Sequence, residues 1–310
     1  MAALVLSACG GSDEGGGEQE PLVFAAVPSE ESEQLEASFE PLLAALEEDL
    51  GVPIEFEAVT SNAGVIEAQV AERVDIAVYG AFSYHLASTR AEVEPIAAPI
   101  QGPGMEPGAV TYGVVRSDDS SIQSLEDAAG KDICFTDPGS TTGYLQPLAA
   151  LLEAGVDPEA DAQAVFTGGH DTSVASLLAG DCDLAFVGDV FIDRLLPARG
   201  LLDPAAVTKV WTSPTIPAPP LVVGTWLPEE TRAQIEETVT SRTAAEMAEA
   251  GFCEGSEIDG PESWGDQAGV AACTIDASNA WAFVPASAED YEPIARICEI
   301  TEAEVCTEGE

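Results

Sequence analysis

The sequence has very few positively charged residues. Among its 310 residues, 10 are Lys or Arg and 56 are Asp or Glu, which gives a formal net charge of -46 at pH 7. The only lysines are Lys131 and Lys209. A protein with this charge repels DNA, RNA and anionic lipid, so nucleic-acid binding is excluded. Because salt near 1 M shortens the Debye length to about 3 Å, we interpret the acidic surface as an adaptation to saline surroundings.

The sequence also lacks the motifs of several enzyme and metal-binding classes. It contains no Walker A motif, no dinucleotide fingerprint and no Cys-x-x-Cys pair, and its two histidines, His85 and His170, are far apart. We therefore predict no cofactor and no metal site, and we assign His85 to packing. Ser140, His170 and Asp189 are the residue types of a hydrolase triad, but no Gly-x-Ser-x-Gly surrounds Ser140, so an enzyme is the weaker alternative.

The first 20 residues are typical of a lipoprotein signal remnant and a tether. Leu6-Ser7-Ala8-Cys9 resembles the lipobox of bacterial lipoproteins, which predicts lipidation of Cys9, and residues 10–20 form a Gly-rich acidic linker. A chance cysteine is the alternative. The stub before Cys9 is short and has no Lys or Arg, so we expect the start codon upstream of Met1. No later run approaches the roughly 20 apolar residues of a membrane span. The lipobox resemblance predicts an extracytoplasmic protein anchored to the outer face of the cytoplasmic membrane, or a periplasmic one.

Six cysteines remain besides Cys9, and an even number in an exported chain favours disulfides. Cys134 and Cys182 lie in strand-like runs that we expect to be neighbours in one sheet. Six cysteines allow 15 pairings, so the pairing is a hypothesis. The spacing suggests Cys134 with Cys182, Cys253 with Cys273, and Cys298 with Cys306.

Apolar, β-rich runs alternate with helical patterns from Pro21 onward, which is typical of an α/β fold with parallel sheets. Residues 213–220 contain four prolines and are predicted to be a stiff crossing segment. We predict a first lobe of residues 21–112 plus 214–310 and a second lobe of residues 113–213, with two hinge crossings and a ligand cleft between the lobes. A single doubly wound sheet is the alternative.

Two helices are predicted from strong patterns. Phe39, Leu42 and Leu46 recur at helical spacing, and the helix should end at Gly51. Residues 228–251 are rich in Glu and Ala, which predicts the longest helix of the chain.

One candidate site is the segment Asp137-Pro-Gly-Ser-Thr-Thr-Gly143, which follows a strand and opens a helix. The first turn of a helix presents unpaired N–H groups and a partial positive charge. Ser140, Thr141 and Thr142 add hydroxyl donors, so a tetrahedral oxyanion could bind there without a lysine. The alternative is that these residues are ordinary N-caps.

Three further candidates lie at predicted strand ends, where parallel sheets bind ligands. His170 in Gly-Gly-His-Asp could donate to an anion or cap its own helix. Asp189 could bind a cationic tail, accept from a protonated ligand oxygen, or cap a helix. Tyr79 precedes Gly80, which permits close backbone approach, but a buried tyrosine with a satisfied hydroxyl is equally consistent with the sequence.

The motifs occur in a definite order along roughly residues 22–250. They are Val27-Pro-Ser-Glu, Leu-Glu-Glu-Asp-Leu-Gly-Val, Val-Asp-Ile-Ala-Val-Tyr-Gly, Asp-Pro-Gly-Ser-Thr-Thr-Gly, Gly-Gly-His-Asp and Ser-Pro-Thr-Ile-Pro. This combination resembles the phosphate, phosphite and phosphonate substrate-binding family of ABC transporters. The resemblance implies a two-lobed, type II periplasmic-binding-protein fold that closes on a small phosphorus oxyanion and delivers it to a membrane permease. We expect a monomer.

The resemblance also implies which residues hold the oxyanion. The family's Ser-Thr-Ser/Thr segment maps to Ser140, Thr141 and Thr142, and its Gly-His-Asp/Glu histidine maps to His170.

Some positions depart from the family pattern. The acid of members that bind aminoalkyl phosphonates falls at Pro219, and two of their first-lobe tyrosines fall near Asn62 and Ala109. We therefore expect a ligand other than aminoethylphosphonate, with Asp189 as the only candidate partner for an amine. Another anion, such as a sulfonate, is the alternative ligand.

Overall fold

A computed structural model of the chain describes residues 20–253 and 257–307. The predicted lipidation site Cys9 and residues 10–19 of the tether lie outside the described residues. The described part contains one six-stranded and one five-stranded sheet, together with a small two-stranded sheet. Two separate large sheets exclude the alternative of one doubly wound sheet.

The strands are β1 (Leu22–Ala26), β2 (Ile54–Phe56), β3 (Ile76–Val78), β4 (Val93–Ile100), β5 (Thr111–Arg116), β6 (Asp132–Phe135), β7 (Gln163–Phe166), β8 (Leu184–Gly188), β9 (Val207–Thr212), β10 (Leu221–Gly224), β11 (Glu257–Asp259), β12 (Ala271–Cys273) and β13 (Ala282–Pro285). The α-helices are α1 (Ser32–Leu50), α2 (Asn62–Val70), α3 (Ala81–Arg90), α4 (Gln146–Glu153), α5 (His170–Ala179), α6 (Leu196–Ala198), α7 (Glu229–Thr240), α8 (Ala244–Ala250), α9 (Ala295–Thr301) and α10 (Glu304–Thr307). Turns of π-helix, Thr141–Leu145 and Phe191–Leu195, lead into α4 and α6. Turns of 3-10 helix cover Leu125–Ala128, Pro204–Ala206, Glu262–Gln267 and Ala288–Ile294.

The six-stranded sheet has the order β13-β4-β10-β3-β1-β2, and the five-stranded sheet has the order β7-β6-β8-β5-β9. In the six-stranded sheet, β1 pairs in parallel with β2 and β3, and in the five-stranded sheet, β6 pairs in parallel with β7 and β8. The first strand after each crossing pairs antiparallel: β5 with β8, and β10 with β3. We call the larger sheet with α1–α3, α7 and α8 the six-stranded half, and the smaller sheet with α4–α6 the five-stranded half.

Helix α1 follows the predicted apolar spacing. Leu35, Phe39, Leu42 and Leu46 are buried on one face, which packs on the six-stranded sheet. Gly51 ends the helix with a φ of 70°, and its N–H donates to the carbonyl oxygen of Glu47. The predicted end at Gly51 is therefore confirmed, because glycine adopts this left-handed conformation without strain.

The prediction of one long helix over residues 228–251 is wrong. The structure has α7 and α8 there, and α1, with 19 residues, is longer than either. Thr243 forms an isolated antiparallel bridge with Ala282, and its hydroxyl starts α8 by accepting from the N–H of Glu246 at 3.2 Å. Pairing with a strand distant in sequence therefore interrupts a segment that is helical by composition.

The structure contains the three disulfides suggested by the spacing. They are Cys134–Cys182, Cys253–Cys273 and Cys298–Cys306, with Cα–Cα distances of 5.8, 5.2 and 5.7 Å. β6 pairs in parallel with β8, and Cys182 lies two residues before the first residue of β8, which brings its sulfur to that of Cys134. These Cα separations lie within the usual range for disulfides.

The chain crosses between the halves twice. It leaves the six-stranded sheet after Ile100 and enters the other at Thr111, then returns between Thr212 and Leu221. The two crossings pair with each other, because Ala109 and Ile216 exchange N–H···O hydrogen bonds of 2.9 and 3.0 Å. Two paired crossings allow one half to rotate relative to the other about a short axis.

The C-terminal segment touches both halves. The ring of Tyr291 packs edge-on against Tyr84 of α3, with centroids 5.0 Å apart, and α9 packs against α4. The Cys298–Cys306 disulfide closes this segment. Among the described residues, no helix combines the length and apolar character needed to cross a bilayer.

Candidate anion-binding site

A cavity of about 130 Å³ lies between the two halves. Its wall includes all six residues that the sequence nominated for a binding site, namely Tyr79, Ser140, Thr141, Thr142, His170 and Asp189. The positions that depart from the family pattern, Asn62, Ala109 and Pro219, also line it. The hinge therefore brings the nominated residues together, and their role in binding remains a prediction.

Three helical segments begin at this cavity. α3 begins after Gly80, the π-turn leading into α4 begins after Ser140, and α5 begins after Gly169. Each start has a partial positive charge at its N-terminal end, although one first-turn N–H of each, that of Phe82, Gly143 or His170, is paired within the protein. Among the described residues that line the cavity, none is Lys or Arg. Among these residues, the helix termini rather than charged side chains are the source of positive partial charge.

The three hydroxyls of the 137–143 motif have different partners. The Ser140 hydroxyl oxygen accepts from the N–H of Gly143 at 3.1 Å and so caps its own helix, which is the ordinary N-cap role given as the alternative for this segment. The Thr141 hydroxyl oxygen instead accepts from the N–H of Phe82, in the other half, at 2.8 Å. Thr142 Oγ1 lies 3.4 Å from His170 Nε2. Thr141 and Thr142 thus keep their own hydroxyl protons available for another acceptor.

His170 is a neutral hydrogen-bond donor. Its Nδ1 accepts from the N–H of Gly188 at 3.2 Å, so the single proton of the neutral ring is carried by Nε2, the nitrogen nearest Thr142. Burial lowers the pKa of His170 to about 4, so the ring is uncharged near pH 7. Its backbone N–H donates to the carbonyl oxygen of Ser29 at 2.9 Å, which ties the ring to the six-stranded half.

The cavity wall also contains two carboxyl groups, of which Asp276 is buried and Asp189 is half-buried. Burial raises the pKa of Asp189, while nearby backbone N–H groups oppose that shift. Asp276, from the loop before β13, accepts from the hydroxyl of Ser278 at 2.6 Å and from the N–H groups of Ser278 and Ala280 at 3.0 and 2.8 Å. Its oxygens are thus occupied within its own loop, and Asp189 is the acceptor better able to serve a ligand.

Tyr79 contributes a wall rather than a free hydroxyl. The side chain is fully buried, and its hydroxyl donates to Gln69 Oε1 at 3.0 Å. Burial raises the pKa of the phenol well above its usual range. The hydroxyl of Tyr79 is therefore satisfied within the protein, as the alternative prediction held, although the residue does line the cavity.

Two arginines of the five-stranded half bind the six-stranded half beside the cavity. Arg199 forms an ion pair with Glu30, whose side chain is completely buried. Burial raises the pKa of Glu30, and the Arg199 guanidinium opposes the shift. Arg194 donates to the side chain of Gln101 and to the carbonyl oxygen of Ser278 at 3.0 Å. Both pairs exist only while the two halves are in contact.

Sequence reasoning did not nominate Asn62 and Asp276 as site residues. Asn62 is 2% exposed, and its Oδ1 is buried without a hydrogen-bond partner in the described part of the chain. The signal that could have found Asn62 is its position at the start of α2, just beyond the carboxyl end of β2. No local pattern marks Asp276, because its loop reaches the cavity only through the pairing of β13 with β4.

A family of known proteins matches most of the chain. The family model described as "ABC transporter, phosphonate, periplasmic substrate-binding protein" matches residues 24–264. The chain belongs to this family. Members are transporter substrate-binding proteins and not enzymes, which removes the hydrolase alternative.

Individual relatives agree with the family match. The chain is 36% identical over 319 aligned positions to the phosphate-import protein PhnD of Mycolicibacterium smegmatis, covering 98% of this chain and 94% of that protein. A binding-protein component of an ABC phosphonate transporter from Pseudomonas aeruginosa is 22% identical with a TM-score of 0.74, covering 91% of this chain and 87% of that one. PhnD1 of Prochlorococcus marinus, solved with methylphosphonate, is 17% identical with a TM-score of 0.73, covering 91% and 98%. The fold is therefore the periplasmic-binding-protein fold predicted from the sequence.

Proposed function

We propose that the protein captures a small phosphorus oxyanion, namely a phosphonate, phosphite or phosphate, and delivers it to the permease of an ABC importer. The observation that carries the proposal is the meeting of three helix starts, two threonine hydroxyls and one neutral imidazole N–H at a small cavity whose described lining contains no cation. Aimed neutral donors of this kind bind a charged oxyanion at short range, where the protein's net charge matters little. The names of the relatives, which refer to phosphate import and to methylphosphonate, support the same ligand class.

In this proposal the two halves divide the contacts to the ligand. Thr141, Thr142 and His170 Nε2 donate to the oxyanion oxygens, together with N–H groups at the helix starts. Ser140 holds the first turn in place as its cap. From the six-stranded half, the side-chain NH2 group of Asn62, which lines the cavity, donates to the ligand, because Oδ1, unpartnered among the described residues, can only accept.

Asp189 favours a phosphorus ligand over a sulfonate. A phosphate, phosphite or phosphonate monoanion carries a protonated oxygen that can donate to the Asp189 carboxylate, whereas a sulfonate carries none near neutral pH. An acceptor facing an anion that has no proton to donate is repulsive. Pro219 lines the cavity at the position where an amine partner would be expected, which supports a simple oxyanion rather than an aminoalkyl phosphonate.

The proposed capture requires the halves to close. We assign the moving lobes to residues 21–112 plus 214–310 and to residues 113–213, with the paired crossings at Ala109 and Ile216 as the hinge. The contacts of Arg199 and Arg194 across the cleft would form on closure. We propose that the protein acts as a monomer.

Export and anchoring complete the proposal. Lipidation of Cys9 would hold the protein at the outer face of the cytoplasmic membrane, near its permease. Labelling of the expressed protein with a fatty-acid analogue should modify the wild type and not Cys9→Ser. Equal labelling of both proteins, or of neither, would contradict the anchor and leave the ligand assignment unaffected.

The ligand assignment is tested by calorimetry at high salt against phosphate, phosphite, methylphosphonate, sulfate and methanesulfonate. We expect at least one phosphorus ligand to bind and both sulfur ligands to bind about 5- to 150-fold more weakly, since an unpaired acceptor facing the ligand costs about 1 to 3 kcal/mol. A folded protein that binds no phosphorus ligand would refute the proposal. Preferential binding of methanesulfonate would support the sulfonate alternative.

A further inference from the structure

We propose that Thr141 is the N-cap of helix α3 across the cleft, and that Gly80 is the positioning residue that makes room for it. The inference rests on the proposed function, because it links the closing of the cleft to the alignment of a ligand donor. Helix α3 belongs to the six-stranded half and Thr141 to the five-stranded half. When the halves separate, α3 loses its cap and Thr141 loses the partner that orients its hydroxyl.

Helix α3 has no cap of its own. Its N-cap residue is Gly80, which has no side chain, and the N–H of Phe82 in its first turn donates to Thr141 Oγ1 at 2.8 Å. Neighbouring α2 is built in the usual way, because the hydroxyl of Ser61 accepts from the N–H of Gly64 at 3.1 Å. A threonine hydroxyl that accepts from the second helical N–H performs the function of an N-cap, although here it comes from 59 residues away.

The glycine at position 80 is explained by this contact and not by its backbone. Gly80 has a φ of -71° and a ψ of 158°, an extended conformation open to every amino acid. A Cβ atom at this position would lie 2.9 Å from Thr141 Oγ1. Any side chain here would therefore displace the Thr141 hydroxyl from the helix start.

The cap also determines what the Thr141 hydroxyl can do. Because its oxygen accepts from Phe82, its single proton is directed elsewhere, and Thr141 lines the cavity. A hydroxyl that accepts from a helix N–H is a stronger donor, since the two hydrogen bonds polarise each other. Closure thereby turns Thr141 into an aligned donor to the oxyanion, and α3 acts on the ligand through it.

The first test is Gly80→Ser, measured by calorimetry and stopped-flow binding with methylphosphonate, phosphate and phosphite. Serine can cap α3 within its own half, so the unliganded protein should keep or slightly raise its melting temperature. Affinity should fall about five- to tenfold, the equivalent of one cap, mostly through faster dissociation because the contact exists only in the closed state. Thr243→Ala is the control: it removes the cap of α8, a helix whose residues do not line the cavity, and should lower the melting temperature without changing affinity.

A double-mutant cycle separates the cap from a general disturbance. Thr141→Ser keeps the hydroxyl and should bind much like the wild type, whereas Thr141→Ala, which has no γ atom, should bind weakly. Adding Gly80→Ser to Thr141→Ala should cost no further affinity, because both the hydrogen bond and the atom that a Cβ at position 80 would meet are already absent. Wild-type affinity in Gly80→Ser, or the same loss from Gly80→Ser in both backgrounds, would overturn the inference.

Amide hydrogen exchange at Phe82 provides a readout that does not depend on affinity. In wild type its N–H should be protected, more so with ligand, and Thr141→Val should lose that protection while the later turns of α3 keep theirs. Unchanged protection at Phe82 in Thr141→Val would overturn the inference. If wild type binds none of the phosphorus ligands, the proposed function fails and the exchange result alone decides whether the cap exists.

Discussion

The two halves of the molecule meet the cavity in different ways. The five-stranded half contributes oriented donors, Thr141, Thr142 and the Nε2–H of His170, at the starts of two helical segments. The six-stranded half contributes a third helix start that lacks its own cap, and the side chain of Asn62, whose Oδ1 has no partner in the described part of the chain. The five-stranded half should therefore supply most of the binding energy, while the six-stranded half responds to the bound ligand by closing.

We expect the largest effect from substitutions that remove a donor of the five-stranded half. Removing the imidazole N–H with His170→Ala deletes a hydrogen bond to a charged ligand, so affinity should fall by about 1.5 to 3 kcal/mol in calorimetry. His85→Ala is the control, because His85 does not line the cavity and should have no effect. Equal affinity of His170→Ala and wild type would remove the histidine from the site.

The same histidine predicts a pH dependence of stability. Burial holds the folded-state pKa of His170 at about 4, below the value of 6.5 for a free imidazole. The unfolded chain therefore binds the proton first as pH falls, and the free energy of unfolding should decline between about pH 6.5 and 4. Denaturant titrations should show this decline to be shallower in His170→Gln than in wild type. An identical slope in both proteins would mean that His170 is not buried in its neutral form.

A smaller effect is expected from the contacts between the halves. Arg199→Met leaves the fully buried carboxyl of Glu30 without its partner in the closed state. Because opening the cleft rehydrates that carboxyl, we expect a loss of about 1 to 2 kcal/mol in ligand affinity rather than the larger cost of a permanently buried charge. Arg73→Met is the matched control, since its ion pair with Glu57 is exposed and lies within one half. Similar affinities for both variants would show that the Arg199 pair plays no part in closure.

Asn62→Ala should have the smallest effect among the substitutions. It removes one amide contact from the closing half, so affinity should fall by about 1 kcal/mol. The ligand-free protein should be as stable as wild type or more so, since the substitution also removes a buried polar atom that lacks a partner. A large loss of thermal stability with unchanged affinity would assign Asn62 a structural role instead.

The donors of the five-stranded half could be predicted because they lie in two short segments of sequence. The segments 137–143 and 168–171 each connect the end of a strand to the start of a helical segment, so the direction of their donors follows from the pattern. The first disulfide was predictable for a related reason, since alternating strands and helices placed the strand of Cys134 beside that of Cys182.

The contacts made by the six-stranded half could not be predicted from the sequence to the same extent. The contact between Phe82 and Thr141 depends on the closed angle of the hinge, which no local pattern encodes. The break between α7 and α8 depends on the bridge from Thr243 to Ala282, and the Glu- and Ala-rich composition gives no sign of it. Tyr79 was predicted from its position after β3, but the partner of its hydroxyl, Gln69, lies on α2, and no local pattern indicates that contact.

The central claim is that an oxyanion is held by aimed neutral donors in a protein of net charge -46. The most direct measurement is the affinity of the wild type for its tightest phosphorus ligand from about 0.1 M to 1 M salt, over which the Debye length falls from about 10 to 3 Å. Short-range donors predict that affinity stays constant or rises slightly, because screening removes only the repulsive background. A steep fall in affinity with added salt would show that long-range attraction to a cation holds the ligand, and would contradict the account.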